Sequence, residues 1–225
     1  LSCILLIPLY TIMKRKKRIR FENLKTFKNT TELPIKIQGT WHTIFTNNHP
    51  ITLELGCGKG EYTIALAKKY KEKNFIGVDI QGERIWSGAT EAKKDKLTNV
   101  HFLRVYIDHI DTYFIKNEIE EIWITFPDPH PKERKSKKRL TSPLFLERYK
   151  HILKENGSVH LKTDNHDLFI YTLDVIKKTK GTIKNIQNPI DEQNLQEDSL
   201  LHIETTYEKI YKKQGKPIYY VEWSL

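Results

Sequence analysis

The stretch ITLELGCGKGEYTIALAKKY, residues 51–70, decides the fold. Ile51 to Leu55 is short, apolar and partly β-branched, which suits a buried strand. Gly56, Gly58 and Gly60 punctuate the loop that follows. Glycine there permits positive φ and lets the backbone approach a ligand closely. From Glu61 to Tyr70, the apolar residues Ile64, Leu66 and Ala67 fall at roughly helical spacing. Strand, glycine loop and helix in this order place a ligand at the strand's carboxyl edge. A dinucleotide-binding loop wants its third glycine at the sixth position. Glu61 stands there instead, and a carboxylate at a helix N-terminus opposes a pyrophosphate.

Outward from this unit the alternation continues. Asn74 to Asp79, Val100 to Val105, Glu121 to Phe126 and Gly157 to Thr163 read as strands. Glu83 to Lys94, Asp108 to Lys116, Ser142 to Glu155 and Asn165 to Lys178 read as helices, with Pro143 at a first helical turn. Such alternation argues for an α/β fold, a parallel sheet with helices on both faces. After residue 180 the pattern weakens. Residues 188–199 read as a loop. Leu201 to Thr205 and Ile218 to Trp223 read as two late strands without a crossover helix, an antiparallel pair at a sheet edge.

The chain has 225 residues, enough for one domain with a sizeable core. Hydrophobic residues make up 38% and charged residues 29%, a globular composition with a polar excess. The net charge of +10 suits a nucleic acid or an anionic surface, although a merely lysine-rich protein has the same balance. Cys3 and Cys57 are the two cysteines, with no zinc-like spacing. No disulfide framework and no metal site is expected, and a reducing, cytoplasmic setting is. The first twelve residues, LSCILLIPLYTI, are too few to span a bilayer and precede their positive charges rather than follow them. They read as upstream sequence before a natural start at Met13; the alternative is a short anchor with a polybasic flank. Residues 1–13 are therefore set apart, residues 14–45 read as a basic, irregular arm ordered by a partner, and residues 46–225 read as the catalytic domain.

Two carboxylates sharpen the glycine loop. Glu54 lies two residues before Gly56 and sets an acid beside the pocket floor, where a cation is welcome. Asp79 closes the second strand, 25 residues after Glu54, where a carboxylate accepts ribose hydroxyls. S-adenosylmethionine carries an ammonium, a sulfonium and no phosphate. Loop, Glu54 and Asp79 together resemble the cofactor site of class I methyltransferases. That resemblance implies a Rossmann-like, mostly parallel seven-stranded sheet with an antiparallel edge strand. Tyr106-Ile107-Asp108 then occupies the place of the adenine contacts.

The loop after the fourth strand faces the transferred methyl in this fold. Here it reads FPDPHPKERKSKKRL, residues 126–140. Asp128 is set between prolines, and six of the eight residues from Lys132 to Arg139 are basic. By itself such a run reads first as an exposed loop with solvated lysines. Together with Leu161-Lys162-Thr163-Asp164-Asn165, Thr205-Thr206-Tyr207-Glu208 and Gly215-Lys216-Pro217-Ile218-Tyr219, the stretch resembles the bacterial tRNA (guanine-N7)-methyltransferases, the TrmB type. The resemblance covers residues 14–225. It implies cofactor contacts at Glu54, Gly56, Gly58, Gly60, Asp79, Tyr106, Asp108 and Asp128. It implies substrate contacts at Lys132, Asp164, Thr205, Thr206, Tyr207 and Glu208, and catalysis at Asp128. The family modifies the variable-loop guanosine at tRNA position 46. This chain departs from the family pattern in carrying Tyr106 for Asn or Asp, His130 for Trp, and Lys138-Arg139 for Arg-Arg.

Guanine N7 is an exposed acceptor lone pair, so no proton has to be removed before attack. Alignment of nucleophile, methyl and sulfur is the main requirement. Asp128 is therefore assigned an orienting and electrostatic role toward a base that becomes cationic. Asp164 is a second base contact or, with Asn165, a helix cap. Arg134, Lys135, Lys137, Lys138, Arg139, Lys132 and the segment Lys14 to Arg20 are the candidates for phosphate contacts. The expected partner is tRNA, with no membrane and no metal, and the chain is a monomer or homodimer. The competing readings are a methyltransferase of another RNA or of a small molecule, and an RNA-binding module that keeps the fold without catalysis.

Overall fold

All five residues of strand β2 (Ile51–Leu55) are buried, and so are all six of β3 (Asn74–Asp79). Runs of this kind form only where both faces of a sheet are covered. The computed structural model describes residues 9–225, with side chains from residue 17 onward. Residues 1–8 and the side chains of Lys14, Arg15 and Lys16 lie outside what is described, and with them the expectations placed there. In chain order the elements are α1 (Leu9–Leu24), β1 (Thr30–Glu32), α2 (Trp41–Phe45), β2, α3 (Glu61–Lys69), β3, α4 (Gly82–Lys94) and β4 (Val100–Arg104). They continue with β5 (Ile119–Thr125), α5 (Pro143–Ile152), β6 (Leu153–Thr163), α6 (His166–Lys178), β7 (Thr182–Gln187), α7 (Thr206–Lys213) and β8 (Tyr219–Ser224).

The sheet order is β1-β4-β3-β2-β5-β6-β8-β7. From β2, one run of strands goes outward through β3 and the other through β5. The carboxyl ends of β2 and β5 flank that reversal, where open α/β sheets hold their ligands. One core cluster packs Trp41, Phe114, Tyr149, Ile152 and Phe169 against one face. A second packs Tyr62, Ile64, Leu66, Ala67, Ile85 and Ala89 from α3 and α4 against the other. Helices on both faces match the expected α/β, Rossmann-like class I architecture.

Several expectations are corrected. The sheet has eight strands, not seven, because Thr30–Glu32 adds a parallel strand beside β4. The antiparallel strand is not at the edge: β8 lies between β6 and β7, antiparallel to both. The late pair is 182–187 with 219–224. Leu201 to Thr205 is not a strand but a short 3-10 turn leading into α7. Asp108 to Lys116 forms a 3-10 turn over Ile107–Thr112 rather than a full helix.

The segment expected to be an irregular arm is folded onto the body. Helix α1 lies against α4, with Leu24 fully buried and the Arg20 guanidinium 4.9 Å from the Trp86 ring centre. Lys17 reaches Glu83 at 2.8 Å. Lysine and arginine are good helix formers, and their stems cover apolar surface while their charges stay wet. Few apolar side chains are needed, so the periodicity is faint. Among the described residues, no helix is long and apolar enough to cross a membrane.

Candidate active site

The loop from Gly56 to Gly60 turns on positive φ at Gly56, Gly58 and Gly60. Gly60 is the most constrained: a Cβ there lies 2.5 Å from the Phe102 ring. The loop amides are already committed. Gly56 and Cys57 donate to the Val78 carbonyl at 2.8 and 3.0 Å, and Gly60 donates to Cys57 at 2.8 Å. Gly58 donates to the Asp79 carboxylate at 2.9 Å. An anion-binding nest needs free amides pointing at the ligand, and those four are not free. The loop instead shapes one wall of a cleft of about 450 Å³.

Asp79 is buried and accepts from Gly58 and, at 2.8 Å, from Gln81. A carboxylate has about four acceptor sites, so both oxygens retain capacity, and Asp79 lines a second cleft of about 310 Å³. Tyr106, Asp108, His130 and Lys138 line that second cleft. Glu54 lies at the floor of the first cleft. Thr63 donates to it through its amide at 2.8 Å and through its hydroxyl, and the Thr125 hydroxyl donates at 2.8 Å. Burial pushes the Glu54 carboxyl up to about 7, against those hydrogen bonds, and the nearby Glu61 pushes in the same direction.

Asp128 is exposed and lines the first cleft from the loop after β5. That loop bends sharply: Phe126 and His130 both have positive φ, at 48° and 43°. Arg139 holds the bend. Its guanidinium donates to the carbonyls of Pro129 and His130 at 3.2 and 3.3 Å and sits 4.2 Å from the Tyr171 ring centre. Arg139 is buried, so its assignment to phosphate is corrected: it is a clamp on the loop. Lys132, Arg134, Lys135, Lys137 and Lys138 are exposed along a 3-10 turn, Glu133–Lys138.

Thr205, Thr206 and Tyr207 also line the first cleft. Thr205 caps α7, its hydroxyl accepting from the Glu208 amide at 3.2 Å. The Thr206 amide and hydroxyl both donate to Glu61. Glu208 does not reach the cleft: it is fully buried and meets the Lys162 ammonium at 2.8 Å. Its assignment to substrate is corrected accordingly. Burial raises the Glu208 carboxyl and lowers the Lys162 ammonium, and their pairing opposes both shifts. Asp164 is not a cap, since Asn165 accepts from the Leu168 amide at 2.8 Å. Asp164 is instead paired with Lys216 at 3.1 Å.

A family model described as a putative methyltransferase matches residues 48–221. A tRNA (guanine-N(7)-)-methyltransferase of Christiangramia forsetii is 43% identical over 93% of this chain and 95% of its own. One of Bacteroides thetaiotaomicron is 40% identical over 95% of this chain and 87% of its own. The chain belongs to the tRNA (guanine-N(7)-)-methyltransferase family. Among solved structures, an antibiotic-related methyltransferase superposes with a TM-score of 0.66 at 18% identity, over 88% of this chain and 98% of that one. A 16S rRNA methyltransferase gives 0.64 at 11% identity, over 84% and 94%. At those identities the likeness concerns the fold alone.

Seen as a member of this methyltransferase family, the chain carries cleft residues that motif reading passed over: Gln81, Arg84, Thr125, Ile210 and Tyr211. Glu61 was noticed only as a glycine replacement. Helix α7 had a legible start, because Thr205-x-x-Glu208 has capping-box spacing. Its glutamate turns inward to Lys162 instead of back to the cap. Among the described residues, no group of three or more His, Cys, Asp or Glu side chains could hold a metal ion.

Proposed function

We propose that this chain transfers a methyl group from S-adenosylmethionine to N7 of a guanine in tRNA, at position 46 of the variable loop. The observation that carries the reading is the division of one loop. Asp128 lines the cleft, while Lys132, Arg134, Lys135 and Lys137 on the same loop stay in solvent.

The residues present fit the cofactor. The committed amides of the glycine loop disfavour a phosphate ligand, while Glu54 and Glu61 favour a cationic one. Asp79 would hold the ribose hydroxyls and Tyr106 to Asp108 would border the adenine. Glu54 would set the amino-acid end. When bound, S-adenosylmethionine supplies a methyl group already activated by its sulfonium. Asp128 orients the target by accepting from the donor edge of guanine and balances the positive charge that grows on the ring. No side chain has to remove a proton from N7. The exposed lysines supply phosphate contacts that position tRNA without reading its bases.

The test is transfer of labelled methyl to unmodified tRNA by the wild-type protein and by Asp128→Ala. The variant should fold and bind S-adenosylhomocysteine but lose activity on the order of a hundredfold. No transfer by the wild type, or full turnover by the variant, contradicts the reading.

A further inference from the structure

Helix α7 presents Tyr207, Ile210 and Tyr211 to the first cleft, at the i, i+3, i+4 spacing that puts side chains on one face. Tyr207 and Ile210 are 48% and 44% exposed. Single exposed apolar groups are ordinary, but a cluster at a cleft mouth marks a binding surface. Phe126 joins it from the loop after β5. Its ring centre is 5.8 Å from that of Tyr211, with the planes tilted by 42°. Phe126 is fixed by its positive φ and by donation from its amide to the Lys162 carbonyl at 2.8 Å. The Tyr211 ring is braced by the Lys216 ammonium, 4.5 Å from its centre. Lys216 in turn pairs with Asp164.

An aromatic wall is thus fixed beside two carboxylates, Asp128 in the cleft and Asp164 behind Lys216. A flat ligand with apolar faces and a donor edge complements this arrangement. Guanine has both, with N1–H and N2–H₂ along one edge. Resting on the proposed function, we infer that Tyr211, backed by Phe126, is the surface on which the target guanine stacks when it turns into the cleft. The reaction leaves a positive charge on the purine, and an aromatic face attracts a cation more than a neutral ring. The platform therefore favours the base as it is being methylated.

Steady-state methylation of unmodified tRNA by wild type, Tyr211→Leu and Tyr211→Phe tests this. Base–aromatic stacking is strong enough that Tyr211→Leu should lower kcat/KM about tenfold or more. Tyr211→Phe keeps the ring and should keep the wild-type value. Both should bind S-adenosylhomocysteine as the wild type does. Unchanged kcat/KM in Tyr211→Leu overturns the inference, and so does a Tyr211→Phe loss equal to that of Tyr211→Leu. Loss of cofactor binding in Tyr211→Leu also overturns it, because the effect would then lie elsewhere. Failure of the wild type itself to methylate tRNA sinks the proposed function rather than this assignment.

Discussion

The Lys162 ammonium and the Glu208 carboxylate meet at 2.8 Å, with 0% and 1% of their side chains exposed. The same ammonium donates to the carbonyls of Leu201 and Ile203 at 2.8 and 3.0 Å. One lysine in the central sheet thus ties down the whole approach to α7, and with it Thr205 to Tyr207 at the cleft.

Breaking a buried pair by removing one partner leaves a desolvated charge, at about 3–5 kcal/mol. Lys162→Met and Glu208→Leu should each lose roughly that much in urea unfolding. The double variant Lys162→Met/Glu208→Leu should lose clearly less than the sum of the two single changes, because neighbouring sites couple. Additive losses would mean the pair is not the link.

Glu54 has a folded pKa of about 7 against an ordinary 4.5. A carboxyl raised in this way contributes stability that is complete below pH 4.5 and is lost as pH rises through 7. The unliganded wild type should therefore lose about 3 kcal/mol over that window relative to Glu54→Gln, whose profile lacks this slope. Parallel profiles of wild type and variant would contradict the burial assigned to Glu54.

His160 behaves in the opposite sense. Its ring stacks on Trp123 with centres 4.0 Å apart, and its Nδ1 lies 2.9 Å from the Tyr220 hydroxyl. Burial holds the imidazole near 4, below its ordinary 6.5. The stability it contributes is present above pH 6.5 and is lost as pH falls through 4. His160→Phe keeps the stack and should make unfolding less steep in acid by about 3 kcal/mol across that range. His101, also held near 4 by burial, supplies the slope that remains.

The loop after β5 separates two roles that a charge count merges. Lys135, Lys137 and Lys138 are exposed, whereas Arg139 is buried against two carbonyls. Replacing the three lysines with alanine should flatten the log–log salt dependence of tRNA binding by about two to three units. Arg139→Ala should leave that slope as it is and reduce methylation by loosening the loop that carries Asp128. A changed slope in Arg139→Ala would return that residue to phosphate binding.

The parallel strands were legible because burial on both faces writes continuous apolar runs, as in ITLEL and NFIGVD. Strand β7 was not legible, since five of its six residues are exposed and its pairing is set by β8, more than thirty residues away. Strand β1 is three half-buried residues, too short to carry a period. The burial of Arg139 and Glu208 was not legible. Whether a charged side chain faces solvent or the interior depends on a partner the motif does not name: Lys162 for Glu208, and the Pro129 and His130 carbonyls for Arg139. The motif fixes residue type but not direction.

The most direct measurement is mass mapping of the nucleoside methylated in unmodified tRNA by the purified protein with S-adenosylmethionine. The account predicts a single 7-methylguanosine, at position 46 of the variable loop. Methylation of another atom, another base or another position, or no methylation at all, would contradict it.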